Sequence, residues 1–137
     1  MAKFVLKNAA LVADGVNLSD HVRSVTVEST FGTVDVTAMG DTATQLALGL
    51  PADQISVDFY QDFAAASVDA TLQPRYAAGS AFLVSVWPSG TTTSSTNPKY
   101  SATCIMLSYQ PIAGEMGAAA MTTVVFNAQG AIARATS

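Results

Sequence analysis

Apolar and polar residues alternate along several segments of the chain. Val25 and Val27 alternate with polar residues, and the same period of two recurs at residues 55–60 and 82–87. Because successive side chains of a strand point to opposite faces, each of these segments predicts a strand with one buried face. Segments rich in β-branched and aromatic residues predict further strands. These lie at residues 100–109 and 121–127, and shorter strands are expected at residues 4–12 and 34–37.

One segment has helical rather than strand periodicity. Apolar residues between Asp62 and Pro74 recur at the spacing of one helix face, namely Ala64, Ala65, Val68 and Leu72. Asp62 is a good N-cap residue, and proline normally ends a helix. We therefore predict one helix at residues 63–72, packed on a sheet of a mainly β domain.

Residues 29–50 form a long excursion that is unusually apolar for a loop. Exposed apolar arms of this kind are unfavourable unless a partner covers them. We expect an extended hairpin that docks on a neighbouring subunit. Its contact residues are predicted to be Phe31, Val34, Val36, Met39, Leu46, Leu48 and Leu50.

A second long loop, residues 89–98, is composed almost entirely of glycine, serine, threonine and asparagine. It contains too little apolar surface to order itself by burial, so we expect it to be flexible until a partner binds. The loop keeps open an alternative function, that of a binding module.

Length and composition indicate one domain that is poor in charged residues. The 137 residues suit a single domain, and only 12% of them are charged, about half the usual fraction. The cores of protein interfaces are poor in charge, so self-association would explain the depletion. A surface of serine and threonine would explain it equally well, and composition alone leaves both explanations open.

Charge and hydropathy exclude several classes of protein. The formal net charge is −4, and the six basic residues are scattered, which argues against tight binding to a polyanion. We find no signal peptide and no apolar run of membrane-spanning length, so we expect a soluble protein made in the cytoplasm, with no membrane partner. The single cysteine, Cys104, is predicted to lie in the core.

Candidate catalytic and ligand-binding groups are few. His21, the only histidine, adjoins Asp20, but no Gly-x-Ser-x-Gly motif accompanies the pair, so an enzyme using it is improbable. One histidine and one cysteine provide no zinc ligand pair. Gly114 and Gly117 flank an acid and lack the lysine of a phosphate loop. We therefore predict no catalytic residues, no cofactor and no metal.

The order of segments resembles the tail tube proteins of long-tailed bacteriophages with flexible, non-contractile tails. The resemblance rests on residues 16–22, on Val-Asp-Val-Thr at 34–37 with Gly40 and Asp41, on Gln-Asp-Phe at 61–63 before the alanine-rich segment, on Asn-Pro-Lys-Tyr at 97–100, and on the closing segment 121–135. It implies a β-sandwich or half-barrel with one flanking helix. It also implies stacked rings of six subunits that form a conduit for the genome.

The resemblance further implies a location in the virion tail, after assembly in the bacterial cytoplasm. Tape-measure, tail-tip and terminator proteins are the implied partners, and double-stranded DNA would pass through without specific binding. Acidic residues on the inner wall would repel DNA phosphates. Our candidates for this lining are Glu28, Asp35 and Asp58. A ring that ends the tube is the nearest alternative function. A binding or decoration module on a virion surface, which meets its ligand through residues 89–98, is a second alternative.

Overall fold

The computed structural model describes residues 5–65 and 67–136 and shows a mainly β fold. The strands are β1 (Ala10–Ala13), β2 (Val16–Asn17), β3 (Val22–Glu28), β4 (Phe31–Asp35), β5 (Leu46–Pro51), β6 (Gln54–Tyr60), β7 (Phe82–Trp87), β8 (Lys99–Met106), β9 (Met121–Ala128) and β10 (Ala133–Ala135). Eight of them form one antiparallel sheet in the order β2-β1-β7-β8-β9-β6-β3, with β10 paired to β8. Strands β4 and β5 form a separate two-stranded sheet.

The large sheet is curled into a half-barrel. Strands β3 and β7 are separated by three strands in the sheet order, yet Val27 and Val86 line the same cleft. The concave face holds one apolar core, in which Phe82 of β7 and Phe126 of β9 make an edge-to-face contact with ring centroids 5.7 Å apart. Curling lets one sheet bury its apolar face against itself, as the two sheets of a sandwich do.

Strand β6 shows why the alternating pattern predicted strands correctly. Ile55, Val57 and Phe59 are fully buried, whereas the intervening residues face outward. On the neighbouring strand β9, Val124 is paired with Val57 and Phe126 with Ile55, and both are buried. The predicted strands at β3, β6, β7 and β9 are confirmed.

Other strand predictions need correction. The N-terminal strand covers Ala10–Ala13 rather than residues 4–12, of which residue 4 lies outside the described residues. The hairpin strand is Phe31–Asp35 rather than 34–37. Strand β8 ends at Met106, three residues earlier than expected. Its pairing with β7 extends only to Cys104 and its pairing with β9 only to Met106, so the residues that follow have no partner strand in the sheet.

The helix is α1 (Val68–Ala78), so its predicted bounds were wrong at both ends. Asp62 does not cap it: the Asp62 carboxylate accepts the Ala64 amide in the preceding turn, 2.9 Å away. Pro74 lies inside the helix rather than at its end, on an exposed turn, and Gly79 ends the helix in the left-handed conformation. Leu72 and Val68 still face the core, so the predicted packing of the helix on the sheet is confirmed.

Loop 89–98 is ordered by hydrogen bonds rather than by apolar burial, which corrects the expectation of a flexible loop. The buried amide of Asn97 accepts the Ser89 N–H at 2.9 Å and donates to the carbonyls of Ser89, Gly90 and Thr92. The Trp87 indole N–H donates to Thr93 Oγ1 at 3.0 Å. One polar side chain thus organises a loop that composition alone suggested would lack structure.

Candidate assembly surfaces

The β4–β5 hairpin and its turn carry seven of the exposed large apolar side chains among the described residues. It pairs antiparallel with itself and shares no ladder with the eight-stranded sheet. Leu46 and Leu48 share one face of β5, whereas a register shift after Leu48 interrupts the alternation before Leu50; Leu48 is 71% and Leu50 is 86% exposed. Val34 lies on the other strand, on the opposite face, and is also exposed.

The structure brings all seven predicted contact residues together on this hairpin and its turn, and all seven are exposed. The two strands approach closely where Gly49 faces Gly32, since a Cβ on Gly49 would lie 3.2 Å from the Gly32 carbonyl oxygen. At the tip, Asp41 accepts the Ala38 amide at 2.7 Å, and Gly40 has a positive φ of 98°. The hairpin therefore has a defined internal structure without a buried face.

A buried carboxylate fixes the base of the hairpin. Asp53 is 6% exposed and accepts the backbone N–H of Thr30 at 3.0 Å and that of Ile132 at 2.8 Å. The Ala52 N–H donates to the Thr30 carbonyl at 2.7 Å, which closes the neck between the two strands. Asp53 therefore joins the hairpin to the C-terminal segment. Sequence analysis missed this role, because the residue resembles an ordinary turn aspartate.

The outward face of β3, β6 and β9 carries two of the three predicted lining acids. Asp58 lies in the middle of β6 and accepts hydrogen bonds from Thr123 Oγ1 at 2.6 Å and Ser24 Oγ at 2.8 Å. These bonds lower the pKa of Asp58 below its usual value, because they stabilise the charged form. Glu28 is exposed on the same face, opposite Gln54.

Asp35 lies elsewhere. It is on β4, in the separate hairpin sheet, and accepts the Thr37 amide at 2.9 Å. Hydrogen bonds from Thr37 lower the pKa of Asp35 as well. The structure thus groups Glu28 with Asp58 and leaves Asp35 on the hairpin, because residues 29 and 30 lead the chain out of the large sheet after β3.

A second exposed apolar surface lies at the other end of β6. We name it the end surface and define it by four exposed residues: Phe63, Leu107, Ile112 and Met116. The loop that carries three of them is tied to Gln61, whose side-chain amide donates to Tyr109 Oη at 3.1 Å and to the Pro111 carbonyl at 2.7 Å. Sequence analysis missed this surface, although Ile112 and Met116 in a glycine- and alanine-rich loop were a signal.

Tyr109 secures the same loop to the helix. Its hydroxyl donates to Asp69 Oδ1 at 2.9 Å, and its ring lies 6.5 Å from that of Tyr76. Burial raises the pKa of Tyr109 to about 12. These contacts join the loop to the helix and to the end of β6.

The free edge of β3 borders an apolar cleft of about 410 Å³. Among the described residues, β3 pairs only with β6, so its other edge has unpaired backbone groups. Val25, Val27, Val86 and Tyr100 line the cleft, together with Leu6 and Ala9 of the segment before β1. An exposed edge beside apolar surface is a feature that pairs readily with a strand of another chain.

The arrangement around His21 lacks the geometry of a catalytic triad. Its partner is Asp62 rather than the adjacent Asp20, with His21 Nε2 2.9 Å from Asp62 Oδ2. Ser67 Oγ lies 3.5 Å from the same nitrogen, whereas a triad needs the acid and the serine on opposite ring nitrogens. The contacts join the turn before β3 to the segment before α1, which is a structural role.

Metal-binding clusters and membrane-spanning helices are absent from the part of the chain that the structure describes. Residues 5–65 and 67–136 contain no group of three or more histidine, cysteine or acidic side chains placed to hold a metal ion. No helix in these ranges has the length and apolar character needed to cross a membrane. Cys104 is buried, as predicted, and burial raises the pKa of its thiol to about 11.

The fold is that of phage tail tube subunits. A chain from the tail of an empty gene transfer agent particle, solved with C6 symmetry, is similar over 82% of this chain and 81% of its own, with a TM-score of 0.65 and 17% identity. A chain from the native gene transfer agent virion is similar over 83% of this chain and 84% of its own, with a TM-score of 0.64 and 18% identity.

The SPP1 tail tube, solved by solid-state NMR and cryo-electron microscopy, is similar over 95% of this chain and 77% of its own, with a TM-score of 0.75 and 10% identity. No protein-family model matches the sequence, and no curated protein matches it significantly. At these identities the likeness establishes the architecture: a mainly antiparallel β fold with one helix and a projecting hairpin, as the sequence predicted.

Proposed function

We propose that this chain is a structural subunit that assembles into stacked rings and forms the tail tube of a phage or phage-like particle. The observation that carries the proposal is the β4–β5 hairpin, an ordered two-stranded sheet with both apolar faces exposed. A stable monomer gains nothing from such an arm, whereas a permanent assembly needs apolar contact area of roughly 2,000 Å² or more.

The free edge of β3 supports ring formation. A neighbouring subunit could add a strand there, and its apolar side chains would fill the cleft lined by Val25 and Val27. Repeating this contact around a closed ring would join the sheets of successive subunits into one barrel and leave no edge exposed. The C6 symmetry of the gene transfer agent tail, which has this fold, supports six subunits per ring.

The outward face of β3, β6 and β9 is suited to the inner wall of such a tube. It is dominated by serine, threonine, asparagine and glutamine, and Glu28 and Asp58 add negative charge. Asp58 is charged at neutral pH, and the hydroxyls of Thr123 and Ser24 lower its pKa further. Six copies at −4 each would carry −24 in formal charge. The part of this charge on the inner wall would repel DNA phosphates at close range, so DNA would slide rather than bind.

Asp35 remains a proposed lining acid whose position in the assembly depends on where the hairpin docks. The other partners we propose are those of a tail: a tape-measure protein, a tail tip and a terminator. Assembly would take place in the host cytoplasm and the product would reside in the virion tail. The described contacts of His21, Cys104 and the acidic residues are structural, which supports a non-enzymatic role.

Electron microscopy of the purified protein, with sedimentation velocity over a range of concentrations, tests the proposal. We expect rings that stack into hollow tubes, on their own or after addition of tail-initiation proteins. Rings that never stack under either condition would indicate the alternative, a ring that terminates the tube. A species that stays monomeric at every concentration and with every partner would contradict the proposal.

A further inference from the structure

We propose that a groove beside helix α1 binds the loop at residues 107–120 of a neighbouring copy in the same ring. The inference rests on the proposed function, since it assigns a further contact between the subunits of one ring. It involves neither the hairpin nor the free edge of β3. We name the site the helix groove and define it by six residues that line it: Asp14, Ala70, Thr71, Pro74, Arg75 and Ala78.

The helix groove contains a buried hydroxyl without a hydrogen bond. Thr71 is 8% exposed, and its Oγ1 has no hydrogen-bond partner among the described residues. A buried hydroxyl of this kind is costly, and native proteins usually satisfy such groups. Pro74 leaves a second polar group free nearby, because it has no N–H to donate to the Ala70 carbonyl four residues earlier. The groove therefore offers a donor and an acceptor on adjacent residues.

A donor beside an acceptor matches a peptide group. The Thr71 hydroxyl can donate to a peptide carbonyl, and the Ala70 carbonyl can accept a peptide N–H. The other helical residues of the groove are mostly alanine and proline, so a backbone can approach closely within its volume of about 490 Å³. The groove has no net charge, because Asp14 Oδ2 accepts Arg75 Nε at 2.6 Å and lies 2.5 Å from Nη2. These features fit a peptide segment with small side chains and little charge.

Loop 107–120 has this composition. Six of the eight residues at 113–120 are glycine or alanine, and Glu115 is the only charged residue of the loop. Between residues 113 and 119 the structure describes a single backbone hydrogen bond, from the Ala118 N–H to the Glu115 carbonyl. Ile112 is 86% exposed and Met116 is fully exposed, so the loop also carries apolar side chains without a cover. The groove and the loop each lack what the other provides.

The two surfaces lie on opposite sides of the same helix. The loop is tied to α1 through Tyr109, which bonds to Asp69 and lies beside the ring of Tyr76. With about 3.6 residues per helical turn, Asp69 and Tyr76 project from one side of α1, and the groove residues are centred on the other. The loop of a subunit is therefore directed away from its own groove. A contact between two different surfaces joins subunits head to tail, and it can repeat around a closed ring.

Thr71→Val tests the contact, because its expected effects on the subunit and on the ring have opposite signs. Valine keeps the shape and removes the unsatisfied hydroxyl, so the unassembled protein should unfold at a higher urea concentration. Each contact in the ring loses a hydrogen bond, so the protein concentration needed for ring assembly should rise about fivefold in sedimentation velocity. An unchanged concentration for assembly, or a lower stability of the subunit, would overturn the inference.

Thr122→Val is the matched control. Thr122 also has a buried hydroxyl without a partner among the described residues, but it lies on β9 and does not line the groove. This variant should raise the stability of the subunit and leave ring assembly unchanged. Equal losses of assembly in Thr71→Val and Thr122→Val would overturn the inference, because the effect would then not depend on the groove.

Cross-linking identifies the occupant. Ala78→Cys and Ala118→Cys place thiols on the groove and on the loop, at exposed positions, and the native Cys104 is buried. The assembled double variant, treated with a short bismaleimide, should give covalent oligomers that stop at the ring size on a denaturing gel. A mixture of the two single variants should give no product larger than a dimer. Oligomers beyond the ring size would show that the contact joins different rings and would overturn the inference.

The unmodified protein separates this inference from the proposed function. Normal rings and tubes, together with a double cysteine variant that assembles but does not cross-link, would overturn the inference alone. Failure of the unmodified protein to form rings or tubes would overturn the proposed function.

Discussion

The eight-stranded sheet and the β4–β5 hairpin are both rich in apolar residues, yet they bury them very differently. Ile55, Phe59 and Phe126 in the sheet are fully buried, whereas Leu48 and Leu50 in the hairpin are 71% and 86% exposed. The sheet curls over its own apolar face, but the hairpin lies outside that curve and has no second layer. An apolar face needs another surface to cover it, and the topology determines whether that surface comes from the same chain.

The largest expected effect on assembly is at Leu48 of the hairpin. Leu48→Asp should abolish tubes, because a charge in a desolvated interface leaves an unpaired ion. The unfolding free energy of the unassembled protein should change by no more than about 0.5 kcal/mol, since the residue is exposed. Electron microscopy and urea denaturation measure the two effects. Leu83→Asp is the control for an exposed leucine on the large sheet, and tubes formed by Leu48→Asp would show that the hairpin is not an interface.

Phe126→Ala tests the opposite half of the comparison. Removal of this fully buried ring should lower the unfolding free energy by about 3–5 kcal/mol, through lost burial and the cavity left behind. Leu48→Ala serves as its partner and should cost almost nothing in the unassembled protein. Both values come from urea denaturation under non-assembling conditions. Equal losses for the two substitutions would mean that the hairpin packs on its own subunit.

Asp53 connects the two regions, and its removal should have an intermediate effect. Asp53→Ala removes a buried carboxylate and leaves the part-buried N–H groups of Thr30 and Ile132 without their acceptor, at an expected cost of about 1–3 kcal/mol. Asp53→Asn retains one acceptor oxygen and should fall between Asp53→Ala and the native protein. Asp20→Ala removes an exposed carboxylate and is the control. Stability unchanged in Asp53→Ala would show that the hairpin base is held by other contacts.

The smallest effect concerns the core thiol at high pH. Burial raises the pKa of Cys104 from 9.0 to about 11, so between these values the unfolded thiol loses its proton while the folded thiol keeps it. The unfolded state then binds fewer protons, and the stability must fall as the pH rises through this window. Cys104→Ala should show a shallower fall in urea denaturation between pH 9 and 11. Identical slopes for the two proteins would contradict the burial of this thiol.

The sequence predicted the parts of the fold that depend on local pattern. Apolar and polar residues alternate along β6 and β9 because one face of each strand packs on the core. The hairpin was predicted because residues 29–50 are too apolar for a solvated loop. Helix α1 was misplaced because Asp62 and Pro74 carry strong local signals that tertiary contacts override: Asp62 bonds to His21, and Pro74 faces solvent.

The parts that the sequence did not predict depend on distant contacts. Asn97 orders its loop, and Asp53 holds the hairpin base, through bonds to backbone groups that no pattern identifies. The end surface was overlooked because its residues come from two segments, Phe63 after β6 and the loop after β8. Glu28 and Asp58 were correctly predicted to face outward, since strand alternation alone determines the face.

Hydrogen exchange of the hairpin amides, measured by mass spectrometry in the unassembled and assembled protein, tests the central claim most directly. We predict that peptides covering β4 and β5 exchange quickly in the unassembled protein and become strongly protected in tubes. Peptides covering the central strands β6 and β9 should be protected in both states. Hairpin peptides that exchange equally fast in both states, or that are already protected in the isolated subunit, would contradict the account.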